Sequence, residues 1–224
     1  MHYQHRMLNG EPVELPLGKV VCVGRNYADH AKELNNPVPT EPILFIKPAT
    51  AVVPLAPSFT IPAGRGECHH ETEIALLIGK PLTRANPESV RSAILGLGIG
   101  LDLTLRDLQT RLKQQGHPWE QAKAFDGACP LSAFVPAGEL QNFTDLTVSL
   151  TVNNELRQQG NTAQMLFPIL DLVALISDHF TLLPGDVVLT GTPAGVAPLA
   201  HGDKLEATLE ASSDRRYCFK SRVL

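Results

Sequence analysis

The sequence predicts an α+β fold with a mainly β core. Short apolar segments typical of strands outnumber helical segments, and the two do not alternate regularly as they do in a doubly wound sheet. The 18 prolines and 17 glycines among the 224 residues indicate many turns rather than long helices. A chain of this length favours one large domain, and we divide it into a small lead-in over residues 1–16 and a main domain over residues 17–224.

The individual elements follow from the spacing of apolar residues between turn signals. Asn9-Gly10 is typical of a hairpin turn within the lead-in, and Asn153-Asn154 predicts a second hairpin. Strands are expected over residues 19–23, 43–46, 71–78, 96–104, 147–152, 155–158, 186–190 and 204–209. Helices are expected over residues 26–34, 88–95, 105–115 and 168–180.

The bulk composition excludes several classes of function. The net charge is −4 and there is no run of Lys and Arg, so we expect no binding to nucleic acid or to an anionic membrane. No segment approaches the roughly 18 apolar residues of a membrane-spanning helix. The first residues lack the apolar stretch of a signal peptide, and none of the four cysteines forms a Cys-x-x-Cys pair, which favours reduced thiols in the cytoplasm.

Three acidic residues lie in segments that otherwise predict buried strands. Glu71 and Glu73 are two residues apart in one predicted strand and therefore project from the same face, and Asp102 interrupts an apolar, glycine-rich strand. Burying an ionised carboxylate is costly unless something compensates its charge, and a divalent cation is the simplest common partner. The alternatives are a solvated strand edge for the two glutamates and a turn or capping role for Asp102.

An all-oxygen ligand set restricts the metal. Three carboxylates without a thiolate, and without a histidine at ligand spacing, favour Mg²⁺ or Mn²⁺ over Zn²⁺. Because Mg²⁺ prefers octahedral coordination, open positions would remain for water or for substrate oxygens. On this interpretation the chain is a metal enzyme.

Other polar residues at helical spacing could contribute to such a site. His30 and Glu33 are three residues apart in a predicted helix, where a carboxylate that holds a neutral imidazole is a water-activating pair. The alternative for this pair is a solvated position on the helix surface. Arg106 and Gln109 fall in the first turns of the third predicted helix, near the metal candidate, whereas Lys113 is expected to face solvent.

Lys123 and the segment 190–195 complete the candidate groups. Lys123 lies among small and apolar residues and could stabilise a developing oxyanion, or it could be a surface lysine with a buried stem. The segment reads Thr-Gly-Thr-Pro-Ala-Gly and lacks the lysine of a phosphate-binding loop. Its amides and the Thr192 hydroxyl could hold a carboxylate, or the segment could be a plain turn.

Six short segments, taken in order, resemble the fumarylacetoacetate hydrolase family. They span nearly the whole chain and are 21–27 (VCVGRNY), 45–48 (FIKP), 70–73 (HETE), 101–107 (LDLTLRD), 123–126 (KAFD) and 188–193 (VLTGTP). The resemblance implies a mixed β-sandwich roll of the fumarylacetoacetase C-terminal type, usually a homodimer, with Mg²⁺ or Mn²⁺. The short length and the His30/Glu33 pair are similar to the acylpyruvase and oxaloacetate decarboxylase branch.

The resemblance also assigns roles, and by it residues 17–224 are the catalytic domain. The implied metal ligands are Glu71, Glu73 and Asp102, the general-base pair is His30 and Glu33, the oxyanion-stabilising groups are Lys123 and Gln109, and the substrate-holding residues are Arg25, Arg106 and Thr192. Long fumarylacetoacetases have a further aspartate ligand before the catalytic histidine, whereas residues 21–24 of this chain contain no acid. This departure leaves the metal more open and argues against fumarylacetoacetate itself as the substrate.

The implied function is a metal-dependent hydrolase or lyase of small 2-oxo acids that works through an enolate stabilised by the metal and Lys123. Hydrolysis of the carbon–carbon bond of an acylpyruvate, such as acetylpyruvate or fumarylpyruvate, and decarboxylation of oxaloacetate both fit. Keto–enol tautomerisation of oxaloacetate and isomerisation of the 2-hydroxyhepta-2,4-diene-1,7-dioate type stay open as alternatives. A carboxylate-binding metalloprotein and a structural module without metal dependence are the alternatives outside catalysis.

Overall fold

Strands dominate the fold, which a computed structural model describes for residues 3–33, 37–140, 142–211 and 215–224. The strands are β1 (Val20–Gly24), β2 (Ile43–Lys47), β3 (Val52–Pro54), β4 (Cys68–His70), β5 (Thr72–Ile78), β6 (Ile94–Leu101), β7 (Thr104–Leu105), β8 (Cys129–Leu131), β9 (Val135–Pro136), β10 (Leu146–Val152), β11 (Glu155–Asn161), β12 (Val187–Leu189), β13 (Ala197–Pro198), β14 (Lys204–Ala211) and β15 (Arg215–Arg222). The helices are α1 (Ala28–Glu33), α2 (Pro87–Ala93), α3 (Arg106–Gln114), α4 (Glu120–Lys123) and α5 (Ile169–His179). The prediction of an α+β, mainly β fold is confirmed.

The largest sheet places the two predicted carboxylate strands at its centre. Its strands run in the order β2-β1-β12-β5-β6-β8-β3, with β9 beside β6, and it contains both parallel and antiparallel pairs. On the fully buried β5, Ile74, Leu76 and Ile78 belong to one hydrophobic core, whereas Ala75 and Leu77 belong to another. Successive residues of β5 therefore face opposite sides of the sheet, which lies between two apolar layers.

A second sheet covers the larger of the two cores. Its strands are antiparallel throughout, in the order β11-β10-β14-β15. Val148 and Leu150 of β10 enter the same core as the apolar residues of β5, and Val90 of α2 and Ile176 of α5 join them there. Two sheets that share one core form the sandwich that the resemblance implied.

The two predicted hairpin turns are present. Asn153 and Asn154 connect β10 to β11 with φ angles of 52° and 67°, the left-handed conformation at both positions that a type I′ turn requires. In the lead-in, Arg6 pairs with Pro12 in antiparallel fashion, and Gly10 between them has a φ of +88°.

A third, small sheet is formed by three short segments that lie next to Glu71, Asp102 and the 190–195 segment in the sequence. Its central strand β4 pairs antiparallel with both β13 and β7. The chain that leads into Glu71 therefore lies beside the strand that follows the 190–195 segment and beside the two residues that precede α3. Segments far apart in the sequence meet at one end of the β5–β6 pair.

Two predicted boundaries around β6 are wrong. The helix expected over residues 88–95 ends at Ala93, because Ile94 already pairs with Ile78 in the large sheet and is buried there. The strand expected over residues 96–104 starts at Ile94 and ends at Leu101. The helix expected over residues 26–34 is described as far as Glu33, and its last predicted residue lies outside the described part of the chain.

The sequence pattern did not indicate β15. Four of its five exposed positions carry arginine or lysine, the fifth is Cys218, and only Phe219 and Ser221 are buried. Among the strands of the described residues its one partner is β14, so it is set by backbone pairing rather than by an apolar stretch. None of the helices in the described ranges is long and apolar enough to cross a membrane.

Candidate active site

The three predicted ligand residues converge at the end of the β5–β6 pair. Glu71 directly precedes β5, Glu73 lies on it, and Asp102 directly follows β6, which pairs antiparallel with β5. The amide of Asp102 also donates to the carbonyl of Glu71 over 2.8 Å. Carboxylate oxygens of all three residues lie within 4.8 Å of one another, and all three residues are buried. The alternative of two solvated surface glutamates is thereby excluded.

The two glutamates differ in what surrounds them. Burial would raise the pKa of Glu71, but Lys123 and Arg106 outweigh burial and hold that pKa well below its usual range. Burial, followed by the charges of Asp102 and Glu71, raises the pKa of Glu73 well above its usual range. The hydrogen bond that Glu73 accepts from the Gly191 amide, at 2.5 Å, opposes this only in part. Of the two glutamates, Glu73 is therefore the one whose negative charge the neighbouring cations compensate less.

The donor set fits a hard divalent cation. It offers buried carboxylate oxygens, and Glu73 has no hydrogen bond or ion pair to a cationic side chain of the described residues. Among the described residues, neither Cys22 nor Cys129 belongs to this cluster, and burial, with the charge of Asp102 added, raises the pKa of both thiols. Oxygen donors without a thiolate are those that Mg²⁺ and Mn²⁺ prefer.

Cationic side chains surround the other two acids. Lys123 Nζ lies 2.8 Å from Glu71 Oε2 and 2.6 Å from Asp102 Oδ2. Burial would lower the pKa of Lys123, but Asp102 and Glu71 outweigh burial and raise it, so the ammonium form is stabilised. Arg106 Nη2 donates to Glu71 Oε1 over 2.5 Å. The alternative of a surface position for Lys123 is excluded, because its side chain is only 3% exposed.

Arg106 also fixes the orientation of Gln109, one turn further along α3. Its Nη1 donates to Gln109 Oε1 over 2.8 Å, and a guanidinium cannot accept. The amide nitrogen of Gln109 is therefore the end that can donate into the pocket that this residue lines. Such an orientation suits the oxyanion-stabilising role expected of Gln109.

His30 and Glu33 form the pair expected from their helical spacing. His30 Nδ1 lies 3.3 Å from Glu33 Oε2, and His30 is only 4% exposed, so a solvated pair on a helix surface is excluded for the imidazole. The other oxygen of Glu33 accepts from the Gly195 amide at 3.0 Å. Because a carboxylate can only accept, Nδ1 of a neutral His30 carries the proton and Nε2 offers its lone pair.

These groups line one small pocket. Its empty volume, which includes the open mouth, is about 430 Å³. The lining residues that were predicted for the site are Arg25, His30, Glu71, Glu73, Arg106, Gln109, Lys123 and Thr192. Asp102 and Glu33 lie behind this lining, in contact with Lys123 and His30 respectively. The structure thus brings together all ten of the residues that the sequence and the resemblance singled out.

Lys113 lies at the mouth of the pocket. It is exposed, as expected, and it also lines the pocket, on the same face of α3 as Arg106 and Gln109. Burial lowers the pKa of Lys113, and the positive charges of Arg25 and Arg106 lower it further. The mouth is therefore strongly cationic, a feature that helical spacing alone could not reveal because it depends on a residue from another element.

The 190–195 segment uses its polar groups differently from the expectation. The Gly191 amide is hydrogen-bonded to Glu73, and the Thr192 hydroxyl donates to the carbonyl of Thr72 over 3.0 Å. That hydroxyl also accepts from Gln158 Nε2 over 2.7 Å. The segment is therefore tied to the carboxylate strand, and the plain-turn alternative is excluded.

Sequence reasoning missed two buried polar residues beside the site, Lys47 and Gln158. Lys47 is fully buried, and its Nζ lies 2.8 Å from Asp102 Oδ1. Gln158 comes from β11 of the other sheet and is 1% exposed. A lysine at the end of an apolar strand could have signalled a buried ion pair, whereas nothing in the local sequence marks Gln158.

Comparisons with known proteins agree with this geometry. The family model for the fumarylacetoacetate (FAA) hydrolase C-terminal domain matches residues 19–216. Oxaloacetate tautomerase YcgM of Escherichia coli (strain K12) is 53% identical over 212 residues, which cover 94% of this chain and 97% of that protein. A crystal structure from Oleispira antarctica is 54% identical, with a TM-score of 0.95 over 99% of this chain and 100% of that one.

A functionally described structure is also similar. The fumarylpyruvate hydrolase of Pseudomonas aeruginosa, solved in complex with Mn²⁺ and pyruvate, is 33% identical and covers 99% of this chain and 95% of its own, with a TM-score of 0.89. The family match covers most of the chain, and the relatives align over nearly their full lengths. The chain belongs to the fumarylacetoacetate hydrolase family.

Proposed function

We propose that this chain is a metal-dependent enzyme of small 2-oxo dicarboxylic acids, and that its main reaction is keto–enol tautomerisation of oxaloacetate. The observation that carries the proposal is the buried His30/Glu33 pair, which opens into the same pocket as Lys123 and the three acids. A base and an oxyanion donor on one pocket are what proton transfer next to a carbonyl group requires. The 53% identity to an oxaloacetate tautomerase supports this choice of reaction.

Each residue has a defined task in this reaction. An Mg²⁺ or Mn²⁺ ion held by Glu71, Glu73 and Asp102 would act as a Lewis acid on the 2-oxo group. Nε2 of His30 removes a proton from the methylene carbon, while Glu33 holds the ring through Nδ1.

Two donors in the same pocket as the base stabilise the charge that proton removal creates. Lys123 and the amide nitrogen of Gln109 donate to the oxygen on which that charge develops. Return of the proton to the oxygen gives the enol, and the reverse order of steps gives the ketone. Arg106 acts indirectly, because it holds Gln109 and Glu71 in place.

The cationic mouth supports a dicarboxylic substrate. Arg25, directly after β1, and Lys113, on α3, both line the pocket, and the charge of Arg25 disfavours the ammonium of Lys113. The Arg25 backbone has a φ of 62°, which is uncommon for a residue with a side chain. A second carboxylate bound between the two cations would relieve their repulsion.

The second candidate reaction is hydrolysis of an acylpyruvate. The similarity to fumarylpyruvate hydrolase over 99% of this chain favours it, and the same His30 would activate water instead of removing a carbon-bound proton. Decarboxylation of oxaloacetate would need no base at all. We extend the proposal to a cytoplasmic homodimer, as the sequence and the resemblance imply.

His30→Ala is expected to lower the rate of oxaloacetate tautomerisation by about 100-fold or more, because a positioned base contributes that much. The rate is measured from the decay of enol absorbance with Mg²⁺ or Mn²⁺ present, beside assays of fumarylpyruvate and acetylpyruvate hydrolysis. Asp29→Ala is the matched control, because Asp29 lies next to His30 on α1 but has a side chain that is 79% exposed. Full tautomerase activity in His30→Ala would refute the assigned base.

Lys113→Met is expected to raise the KM for oxaloacetate about three- to tenfold and to leave the KM for acetylpyruvate unchanged. Only oxaloacetate has a second carboxylate, and this carboxylate would lose a cationic partner in the variant. Arg111→Met, on the same helix but exposed and outside the pocket lining, is the matched control. Equal changes for both substrates would contradict the dicarboxylate assignment of the mouth.

A further inference from the structure

Gln158 connects the second sheet to Thr192, which lines the pocket. It lies on β11, yet its amide makes four hydrogen bonds to residues outside that sheet. Oε1 accepts from His70 Nδ1 over 2.9 Å and from the Thr72 amide over 3.0 Å. Nε2 donates to Thr192 Oγ1 over 2.7 Å and to the carbonyl of Pro193 over 2.9 Å. One end of the amide thus holds the strand of the acids, and the other end holds the 190–195 segment.

The backbone partners leave only one orientation for this amide. The Thr72 N–H can only donate, so the atom beside it is the oxygen, and the Pro193 carbonyl can only accept, so the atom beside it is the nitrogen. The Thr192 hydroxyl must then accept from Gln158 Nε2. The proton of that hydroxyl is therefore directed to the carbonyl of Thr72. Thr192 is therefore held by its side chain, and within the described residues its backbone N–H has no acceptor.

The packing around Gln158 shows that the 190–195 segment rests directly on β11. A Cβ atom at Gly160 would come within 2.6 Å of the Pro193 side chain. A Cβ atom at Gly195 would come within 1.9 Å of the Arg157 carbonyl, and Gly195 has a φ of +100°. Two glycines, one on each side of the contact, thus permit the close approach that the Gln158 hydrogen bonds require.

We propose that Gln158 is a positioning residue that sets the affinity of the pocket for the substrate carboxylate, by holding Thr192 and Pro193 at a fixed distance from the strand of Glu71 and Glu73. The proposal rests on the proposed function to the extent that it assumes a carboxylate ligand. The backbone N–H of Thr192 is the group presented to that ligand. Gln158 does not touch the three acids, so the affinity for metal alone should depend on it far less.

The test uses Gln158→Glu with Gln159→Glu as its matched control. The introduced carboxylate can still accept from His70 and Thr72 but cannot donate to Thr192 or Pro193. Gln159 is the next residue on β11 and is exposed, so the same chemical change there disturbs no buried partner. We expect the Kd of the metal-loaded protein for oxalate to rise about tenfold in Gln158→Glu, as for the loss of one buried hydrogen bond, and to stay unchanged in Gln159→Glu.

Turnover gives a second readout with its own signature. The KM for oxaloacetate should rise together with the oxalate Kd in Gln158→Glu. By contrast, kcat and the Kd for Mn²⁺ should change by less than about threefold, as for a substitution with no specific effect on either quantity. A general structural weakening would instead lower kcat and Mn²⁺ affinity together.

A double-mutant cycle with Thr192 tests the route of the effect. Thr192→Val removes the hydroxyl that Gln158 holds but keeps the backbone N–H, so it should raise the oxalate Kd as Gln158→Glu does, and the double variant should be no worse than either one. Thr192→Ser, which keeps the hydroxyl, should restore near-normal affinity. If Gln158→Glu fails to fold, Thr192→Val alone still tests whether the Thr192 hydroxyl affects oxalate affinity.

The outcomes separate this role from the proposed reaction. An unchanged oxalate Kd in Gln158→Glu and Thr192→Val, or effects that multiply independently in the cycle, would overturn the role of Gln158. Oxalate binding that depends on Gln158, in a protein that does not tautomerise oxaloacetate, would refute the reaction and support the positioning role.

Discussion

The Glu73→Gln variant is expected to lose Mn²⁺ binding and, without metal, to unfold at a higher temperature than the unsubstituted protein. Burial and the charges of Asp102 and Glu71 raise the pKa of Glu73 well above its ordinary value of 4.5. A carboxyl group whose pKa is raised by folding destabilises the folded state once the pH exceeds the unfolded pKa. The neutral amide removes that cost but also removes a metal ligand.

The sign of the effect gives it a characteristic pH dependence. Below about pH 4, Glu73 is protonated in both states and the two proteins should be equally stable. As the pH rises, the penalty grows in the unsubstituted protein only, so the Tm of Glu73→Gln should exceed that of the unsubstituted protein by an increasing margin towards neutral pH. Thermal unfolding in the presence of a chelator, at pH 5 and at pH 7.5, measures this difference.

Glu71→Gln is the matched variant and should behave in the opposite way. Lys123 and Arg106 hold the pKa of Glu71 below its usual range, so its charge stabilises the metal-free fold at neutral pH and that stability is lost only as the pH falls. Glu71→Gln leaves both cations with one partner fewer and should lower Tm, while it also abolishes the Mn²⁺-induced rise in Tm. Tm changes of the same sign in both variants would contradict the charge distribution described for the site.

Local sequence patterns were sufficient to find the acids of this site. Two glutamates at strand spacing and one aspartate at the end of a glycine-rich strand are each anomalous on an apolar background, and β5 and β6 bring them together. His30 and Glu33 were found in the same way, because their separation by three residues fixes a shared helix face. Such groups are detectable because the strand or helix that carries them also determines their direction.

Other parts of the site depend on pairings that no local pattern encodes. Gln158 reaches Thr192, in the pocket lining, only because its sheet packs across the core, and the charges of Arg25 and Lys113 meet only because β1 and α3 lead to the same pocket. The end of α2 at Ala93 has a similar cause, since the pairing of Ile94 with Ile78 overrides the helical preference of the segment. The wrong expectations are therefore those that needed a residue distant in sequence.

Lys47→Met is expected to destabilise the protein by about 3 kcal/mol, a large part of the stability of an ordinary domain. Lys47 is fully buried, and its ammonium contacts Asp102 and the carbonyls of Lys123 and Ala128. Methionine fills a similar volume but leaves one oxygen of Asp102 and these carbonyls without their donor. The cost of unpaired buried polar groups exceeds what the apolar side chain recovers. Chemical denaturation in the absence of metal measures the loss.

The same substitution should disturb the site as well as the fold. Lys47 contacts the backbone carbonyl of Lys123, and the side chain of Lys123 pairs with Glu71 and Asp102. With Lys47 removed, Lys123 loses its anchor at the carbonyl, and Mn²⁺ affinity and turnover should fall together. Lys220→Met is the matched control, since Lys220 forms an exposed pair with Glu206 at 3.5 Å on β15 and should cost less than about 0.5 kcal/mol.

Adding Asp102→Asn to Lys47→Met separates the two consequences of the lost cation. The neutral amide no longer needs a compensating charge, so part of the unfolding free energy should return, whereas Mn²⁺ binding should be lost because a ligand has gone. If Lys47→Met were as stable as Lys220→Met, Lys47 would not be the counter-ion of Asp102. If the double variant recovered no stability, the loss in Lys47→Met would lie in the unpaired carbonyls alone.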